Sequence, residues 1–284
     1  MTVDWALFGY RMGWRLVRYL PQWLVGAGFR WGADWASRRG RGMPQLRKNL
    51  SYVVGAEAVT DRLIRDAVRS YARYWMEVFR LSTLVSEEFF DQVRESVQGR
   101  EHLEQSIASG RGVVLTLPHS GNWDVAGAWL AHDYGEFTTV VERLKPEELF
   151  REFLRFRESL GFRVIPDRGG KSRPFEQLAA VLQGGGIVVL MGERDLKATG
   201  VPVEFFGAPT TVPAGPAALA LSTGACLHAV HCFFTDTGWG FTISPEIEVD
   251  QLQPTAQRIV CEFEKGIGAH PQDWHVLQPV WRGE

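Results

Sequence analysis

Short continuous apolar runs alternate along this chain with longer stretches in which apolar residues recur every three or four positions. The runs lie at 112–117 (GVVLTL), 138–141 (TTVV), 162–166 (FRVIP), 186–191 (GIVVLM) and 226–234 (CLHAVHCFF), with shorter ones at 241–243 and 247–249. The intervening stretches, at about 122–132, 146–160, 173–184, 213–223 and 252–268, have helical periodicity. Unbroken Val/Ile/Leu runs predict strands covered on both faces. Their alternation with helices predicts an α/β fold, with a mostly parallel central sheet flanked by helices. Ahead of the first run, 60–84 predicts a helix with Leu63, Ile64, Ala67, Val68, Tyr71, Tyr74 and Trp75 on one side. No repeat, low-complexity tract or composition break appears, so 1–284 is expected to form a single domain.

Residues 1–48 stand apart. They carry nine basic side chains against Asp4 and Asp34, a net charge of +7, in a chain whose overall charge is −2. The rest is therefore at −9. Five of the 11 tryptophans, Trp5, Trp14, Trp23, Trp31 and Trp35, fall in the same segment. Basic, Trp-rich, helix-periodic sequence on an otherwise acidic protein suits amphipathic helices docked on an anionic membrane surface. The alternative is a helix pair packed on the main domain with its arginines solvated. No run here reaches the ~20 apolar residues a spanning helix needs. The uncharged stretch 205–235 is broken by Pro209, Pro213 and Pro216. A soluble or peripheral protein is expected, without a signal peptide, because Arg11, Arg15 and Arg18 interrupt any apolar core.

Composition narrows the chemistry. Three cysteines without CxxC spacing exclude a disulfide framework and a zinc ribbon. GxSxG, Walker and GxGxxG motifs are absent, and nothing suggests a nucleic-acid partner. His228 and His231 have HxxH spacing but sit in a predicted strand, where they would point to opposite faces. No metal site is expected.

In parallel sheets, reacting groups gather beyond the carboxyl ends of the strands. After the first strand comes PHSGNWD, with His119 and Asp124 on either side of a turn that Gly121 permits and Asn122 can cap. A carboxylate that orients a histidine ring makes it an effective general base; the alternative is that Asp124 only complements the helix dipole. After the strand at 186–191 comes Gly192-Glu193-Arg194-Asp195. If the two strands are neighbours, Glu193 and His119 emerge at one edge and can touch. The aromatic segment 202–213, with Phe205 and Phe206, reads equally as a channel lining or a core-packing loop.

Four blocks in order, LPHSGNWDVAG, GERD, PVEFFG…TTVPAGPAALAL and HPQDWHVLQPVW, resemble the lipid A late-acyltransferase superfamily over essentially the full chain. Within it, they resemble the actinobacterial branch that acylates phosphatidylinositol mannosides. Asp124 stands where enzymes acting on lipid A carry Glu, which favours that branch. The resemblance implies transfer of a long acyl group, palmitoyl above all, from an acyl-CoA co-substrate to a mannose primary hydroxyl, with no further cofactor. His119 would be the base, held and charge-stabilised by Asp124 and Glu193. Arg157 and Arg194 would meet the coenzyme A phosphates, Ser222 the donor, and Phe205 and Phe206 the acyl chain. The acceptor lipid implies a peripheral enzyme on the cytoplasmic face of the plasma membrane. An acyltransferase on another glycolipid acceptor, an acyl-CoA thioesterase and a non-catalytic lipid-binding module are the rival readings.

Overall fold

Every long apolar run forms a strand in the computed structural model, which describes residues 17–142, 147–167, 173–195 and 199–281. The expectations for Trp5, Arg11, Trp14 and Arg15 lie outside these residues. The helices are α1 (Gln22–Ala36), α2 (Pro44–Val54), α3 (Asp61–Leu84), α4 (Glu87–Ser96), α5 (Arg100–Ala108), α6 (Trp123–Tyr134), α7 (Glu147–Glu158), α8 (Pro174–Gln183), α9 (Gly215–Thr223) and α10 (Leu252–Ala269). The strands are β1 (Val97–Gln98), β2 (Val113–Leu117), β3 (Phe137–Val141), β4 (Phe162–Pro166), β5 (Ile187–Met191), β6 (Val201–Phe205), β7 (Ala208–Val212), β8 (Cys226–Phe234) and β9 (Trp239–Ile243).

Seven strands form one sheet in the order β1-β9-β8-β2-β5-β3-β4, and β6 and β7 pair apart from it. Strands β8, β2, β5, β3 and β4 are mutually parallel. β9 returns antiparallel to β8, and the short β1 runs parallel to β9. Both faces are covered. Val114, Val188, Leu190 and Leu227 pack with residues of α2, α8, α9 and α10. Val113, Leu115, Leu117 and Ile187 pack with residues of α3 to α7. Alternate residues of a strand point to opposite faces, so runs apolar at every position are what such a sheet requires.

Three expectations change. The run at 247–249 forms no strand, although Ile247 is buried. Segment 202–213 is an antiparallel hairpin, with Val201 opposite Val212 and Phe205 opposite Ala208. Its exposed Pro202 and Glu204 alternate with buried Val201, Val203 and Phe205. Helices α4 and α5 connect α3 to β2 where no element was expected.

Helix α3 begins where Thr60 accepts a hydrogen bond from the Leu63 amide at 3.2 Å, and it buries Ile64, Ala67, Tyr74, Val78 and Leu81. Helix α1 lies against α3, with Val25, Gly26 and Ala33 turned inward.

Candidate active site

Strands β2 and β5 are adjacent and in register, with Leu117 opposite Met191. His119 and Glu193 each follow that pair by two residues, so the sheet delivers both to one point beyond its carboxyl edge. His119 Nδ1 lies 2.6 Å from Glu193 Oε1, and the same oxygen accepts the His119 backbone N–H at 2.9 Å. Glu193 is fully enclosed, whereas 26% of the His119 side chain reaches solvent. Burial alone would push the Glu193 carboxyl up, but the charge and hydrogen bonds of His119 outweigh it and hold it below its ordinary value. An ionised carboxylate only accepts hydrogen bonds, so Nδ1 carries the proton and Nε2 is the nitrogen left for a substrate.

Four hydrogen bonds hold the turn that carries His119. The Asn122 side chain caps α6 by accepting the Val125 amide at 3.1 Å, while its Nδ2 donates to Glu77 at 2.7 Å. Gly121 has φ +54°, and a Cβ there would fall within 2.6 Å of the backbone of Cys232 and Phe233. Both facts demand glycine. A strap from the C-terminal block then closes over the turn. The Gly121 amide donates to the Asp273 carbonyl at 2.9 Å, and the His275 amide to the His119 carbonyl at 2.7 Å. Asp273 and His275 converge on Ser70 of α3, whose Oγ is 2.6 Å from Asp273 Oδ1 and 2.9 Å from His275 Nε2. Ser70, Glu77, Asp273 and His275 belong to no motif that announces them in the sequence. The polar residues spaced through HPQDWH were the available signal.

Asp124 differs from expectation. It does not hold the His119 ring. Its carboxylate accepts Arg157 Nε at 2.8 Å, Arg157 Nη2 at 3.3 Å and the Tyr74 hydroxyl at 2.9 Å. Burial disfavours the Arg157 cation, but Asp124 more than compensates and raises its pKa; burial and the Asp124 charge drive the Tyr74 hydroxyl well above its usual range. The reason lies in geometry. Asp124 is in the first turn of α6 and points beneath the sheet edge, toward α7, while His119 turns to β5. Arg157, expected at a coenzyme phosphate, is thus committed to a buried ion pair.

Arg194 does stand beside the pair, hydrogen-bonded to Gln278 Oε1 and lining a small polar pocket with Glu193 and Thr211. Ser222 sits near the end of α9, just before β8 begins. A helix that returns the chain to the start of a parallel strand ends at the sheet edge opposite the strands' carboxyl ends, which sets Ser222 away from His119. Phe205 is fully buried with Trp274 and Trp281, on the α10 side of the sheet, and Phe206 packs on that cluster. The hairpin's Phe205 is a core residue.

An apolar cavity of about 90 Å³ lies on the other face, beneath the start of α6. Trp123, Asp124 and Arg157 stand at its polar end, and Leu115, Trp129, Phe137 and Phe241 line its depth. The Trp123 ring meets His119 edge-on, with centroids 5.4 Å apart. The arrangement is therefore a solvent-reachable imidazole, backed by a buried carboxylate, with the Trp123 ring joining it to a narrow apolar slot.

Comparison with known proteins identifies the family. The profile of the bacterial lipid A biosynthesis acyltransferase family matches residues 1–283. A protein of Mycobacterium tuberculosis named phosphatidylinositol mannoside acyltransferase is 49% identical over 284 residues, covering 99% of this chain and 89% of its own length. A protein of the same name from Mycolicibacterium smegmatis is 50% identical over 277 residues, covering 96% of this chain and 90% of its own.

Proposed function

The chain belongs to the bacterial lipid A biosynthesis acyltransferase family, and on that premise we propose that it transfers a long-chain acyl group from acyl-CoA to a mannose hydroxyl of a phosphatidylinositol mannoside. The observation that carries the chemistry is the 2.6 Å contact between His119 Nδ1 and the buried Glu193. A sugar hydroxyl becomes an adequate nucleophile only as a base takes its proton. His119 Nε2 takes that proton while the oxygen attacks the thioester carbonyl, and Glu193 stabilises the imidazolium that forms. The oxyanion is met by donors near the turn. The amides of His119, Ser120 and Gly121 are already engaged, as is that of Val125, so this role falls to the Trp123 and Asp124 amides at the start of α6. Collapse breaks the carbon–sulfur bond, and the proton on Nε2 passes to the departing coenzyme A thiolate. The acyl chain occupies the slot behind Trp123, widening it, with palmitoyl as the preferred donor. Arg194, which lines a pocket with Glu193, meets a donor phosphate.

The acceptor is a membrane lipid, and α1 supplies a surface for meeting it. Leu20, Trp23, Leu24, Trp31 and Trp35 are exposed on this helix and the turn before it. At 100° per residue they fall within one stripe, opposite Val25 and Ala33. The exposed Arg38, Arg39 and Arg41 follow directly. Indoles beside arginines suit the interface of an anionic bilayer, so we place the enzyme peripherally on the cytoplasmic leaflet. Among the described residues no helix is long and apolar enough to cross a membrane.

The test is coenzyme A release from palmitoyl-CoA with and without phosphatidylinositol mannoside, together with the mass of the lipid product. Release that rises with acceptor, and one palmitoyl added to the mannoside, is the expected result. Release indifferent to acceptor would identify a thioesterase, and absence of release a lipid-binding module. Donor affinity should rise about fourfold per methylene, at ~0.8 kcal/mol each, until the slot is full.

A further inference from the structure

On the other flank of α3 lies a second cavity, of about 930 Å³, bounded by α1, α3, the β8–β9 turn and the strap. Helix α3 turns Ser70, Arg73 and Glu77 toward it, while Tyr71 and Tyr74, on the adjacent face, pack against His275. The cavity is therefore separate from the place where His119 meets an acceptor. We propose that it is a second binding site, for the polyol headgroup of a glycolipid; that this headgroup is a mannosylated inositol rests on the function proposed above.

The lining argues for a sugar over other ligands. Two of its three arginines are spent: Arg69 on both Asp34 oxygens at 2.6 Å, and Arg73 on Glu77 at 2.7 Å. Among the described residues Gln22, Arg30, Asp236, Thr237 and Gln272 line the cavity without a hydrogen-bond partner. They offer one cation, one anion and three neutral groups, an even mixture of donors and acceptors. Sugar hydroxyls both donate and accept, and so can satisfy all five. A polyphosphate would face the carboxylates of Asp66, Asp236 and Asp273, and an apolar ligand would strand the polar groups. Trp23 and Phe29 add aromatic faces for the C–H side of sugar rings. The cavity also lies just inside α1, so a lipid whose tails stay in the bilayer can reach it with its headgroup alone.

Its floor is shared with the catalytic turn. Glu77 accepts from Asn122 at 2.7 Å, and Ser70 joins Asp273 and His275, whose amide holds the His119 carbonyl. A headgroup that orders this floor steadies His119, and binding and turnover are thereby linked.

The experiment titrates the full chain, without acyl donor, with deacylated phosphatidylinositol dimannoside by calorimetry. Two sites per chain are expected. Arg30→Ala/Asp236→Ala, both exposed positions, should abolish one site or weaken it at least tenfold, and should slow transfer to vesicle-borne acceptor severalfold with the KM for acyl-CoA unchanged. Gln272→Ala should do the same to a lesser degree. A single site, identical in wild type and both variants, would overturn the proposal. Acceptor-dependent transfer persisting beside that single site would leave the proposed function standing. Two sites without acceptor-dependent transfer would sink the proposed function and leave the cavity as a glycolipid site.

Discussion

At His119 the chemistry turns on which ring nitrogen is free, and Glu193 decides it by accepting from Nδ1. Glu193→Gln preserves volume but removes the charge that fixes the tautomer and stabilises the imidazolium. We expect kcat to fall about 10²–10⁴-fold with little change in KM, measured with saturating acceptor. The Glu193 carboxyl is held below its reference value of 4.5, so its contribution to stability is complete above that pH and is lost as pH falls through the lowered value. Wild type and Glu193→Gln should accordingly converge in Tm in that acid range. Asp124 behaves differently. Asp124→Asn leaves Arg157 charged and buried without its partner, at a cost of about 3–5 kcal/mol of stability by chemical denaturation. A large loss of kcat at unchanged stability would instead restore Asp124 to the His119 ring. The meeting of His119 and Glu193 was legible in the sequence because each follows an apolar run and parallel neighbours bring such positions together. The Asp124–Arg157 pair was not, because its geometry depends on how α7 packs, 33 residues further on.

Among the elements, the strap over the catalytic turn and strand β8 beside it each carry a buried histidine that responds to pH. Burial pushes His275 down to about 3, with the nearby His119 charge adding to the effect. Burial likewise takes His231, which contacts Ser120 Oγ at 3.2 Å, to about 3. Both rings are neutral in the fold and protonate in the unfolded chain below 6.5. Their contribution is thus intact above pH 6.5 and falls as pH drops toward 3. At pH 5 the loss is about 2 kcal/mol for each. Tm should decline between pH 6.5 and 5, and His231→Gln or His275→Gln should flatten the decline; equal slopes in all three proteins would refute the assignment. Strands and most helices were readable from periodicity. The hairpin was not legible, because Pro209, Pro213 and an aromatic cluster mask the alternation of Val201, Val203 and Phe205. The strap has no periodicity at all, and its pairing with residues some 150 positions earlier becomes visible only in three dimensions.

For the molecule as a whole, the proposed docking on a bilayer rests on the +7 charge of residues 1–48 and the exposed indoles of α1. Trp31 and Trp35 are 73% and 76% exposed. Replacing both with alanine should weaken binding to phosphatidylglycerol-containing vesicles about tenfold per indole while leaving turnover of a soluble short-chain acceptor unchanged. Removing Arg11, Arg15 and Arg18 should have the same selective effect, and equal losses in both assays would sink the docking model. The strap also carries a consequence for biosynthesis. A ribosome emits His119 long before Glu193, and Glu193 long before Asp273 and His275. A nascent chain that has not reached the strap holds the base without the two backbone contacts that fix it.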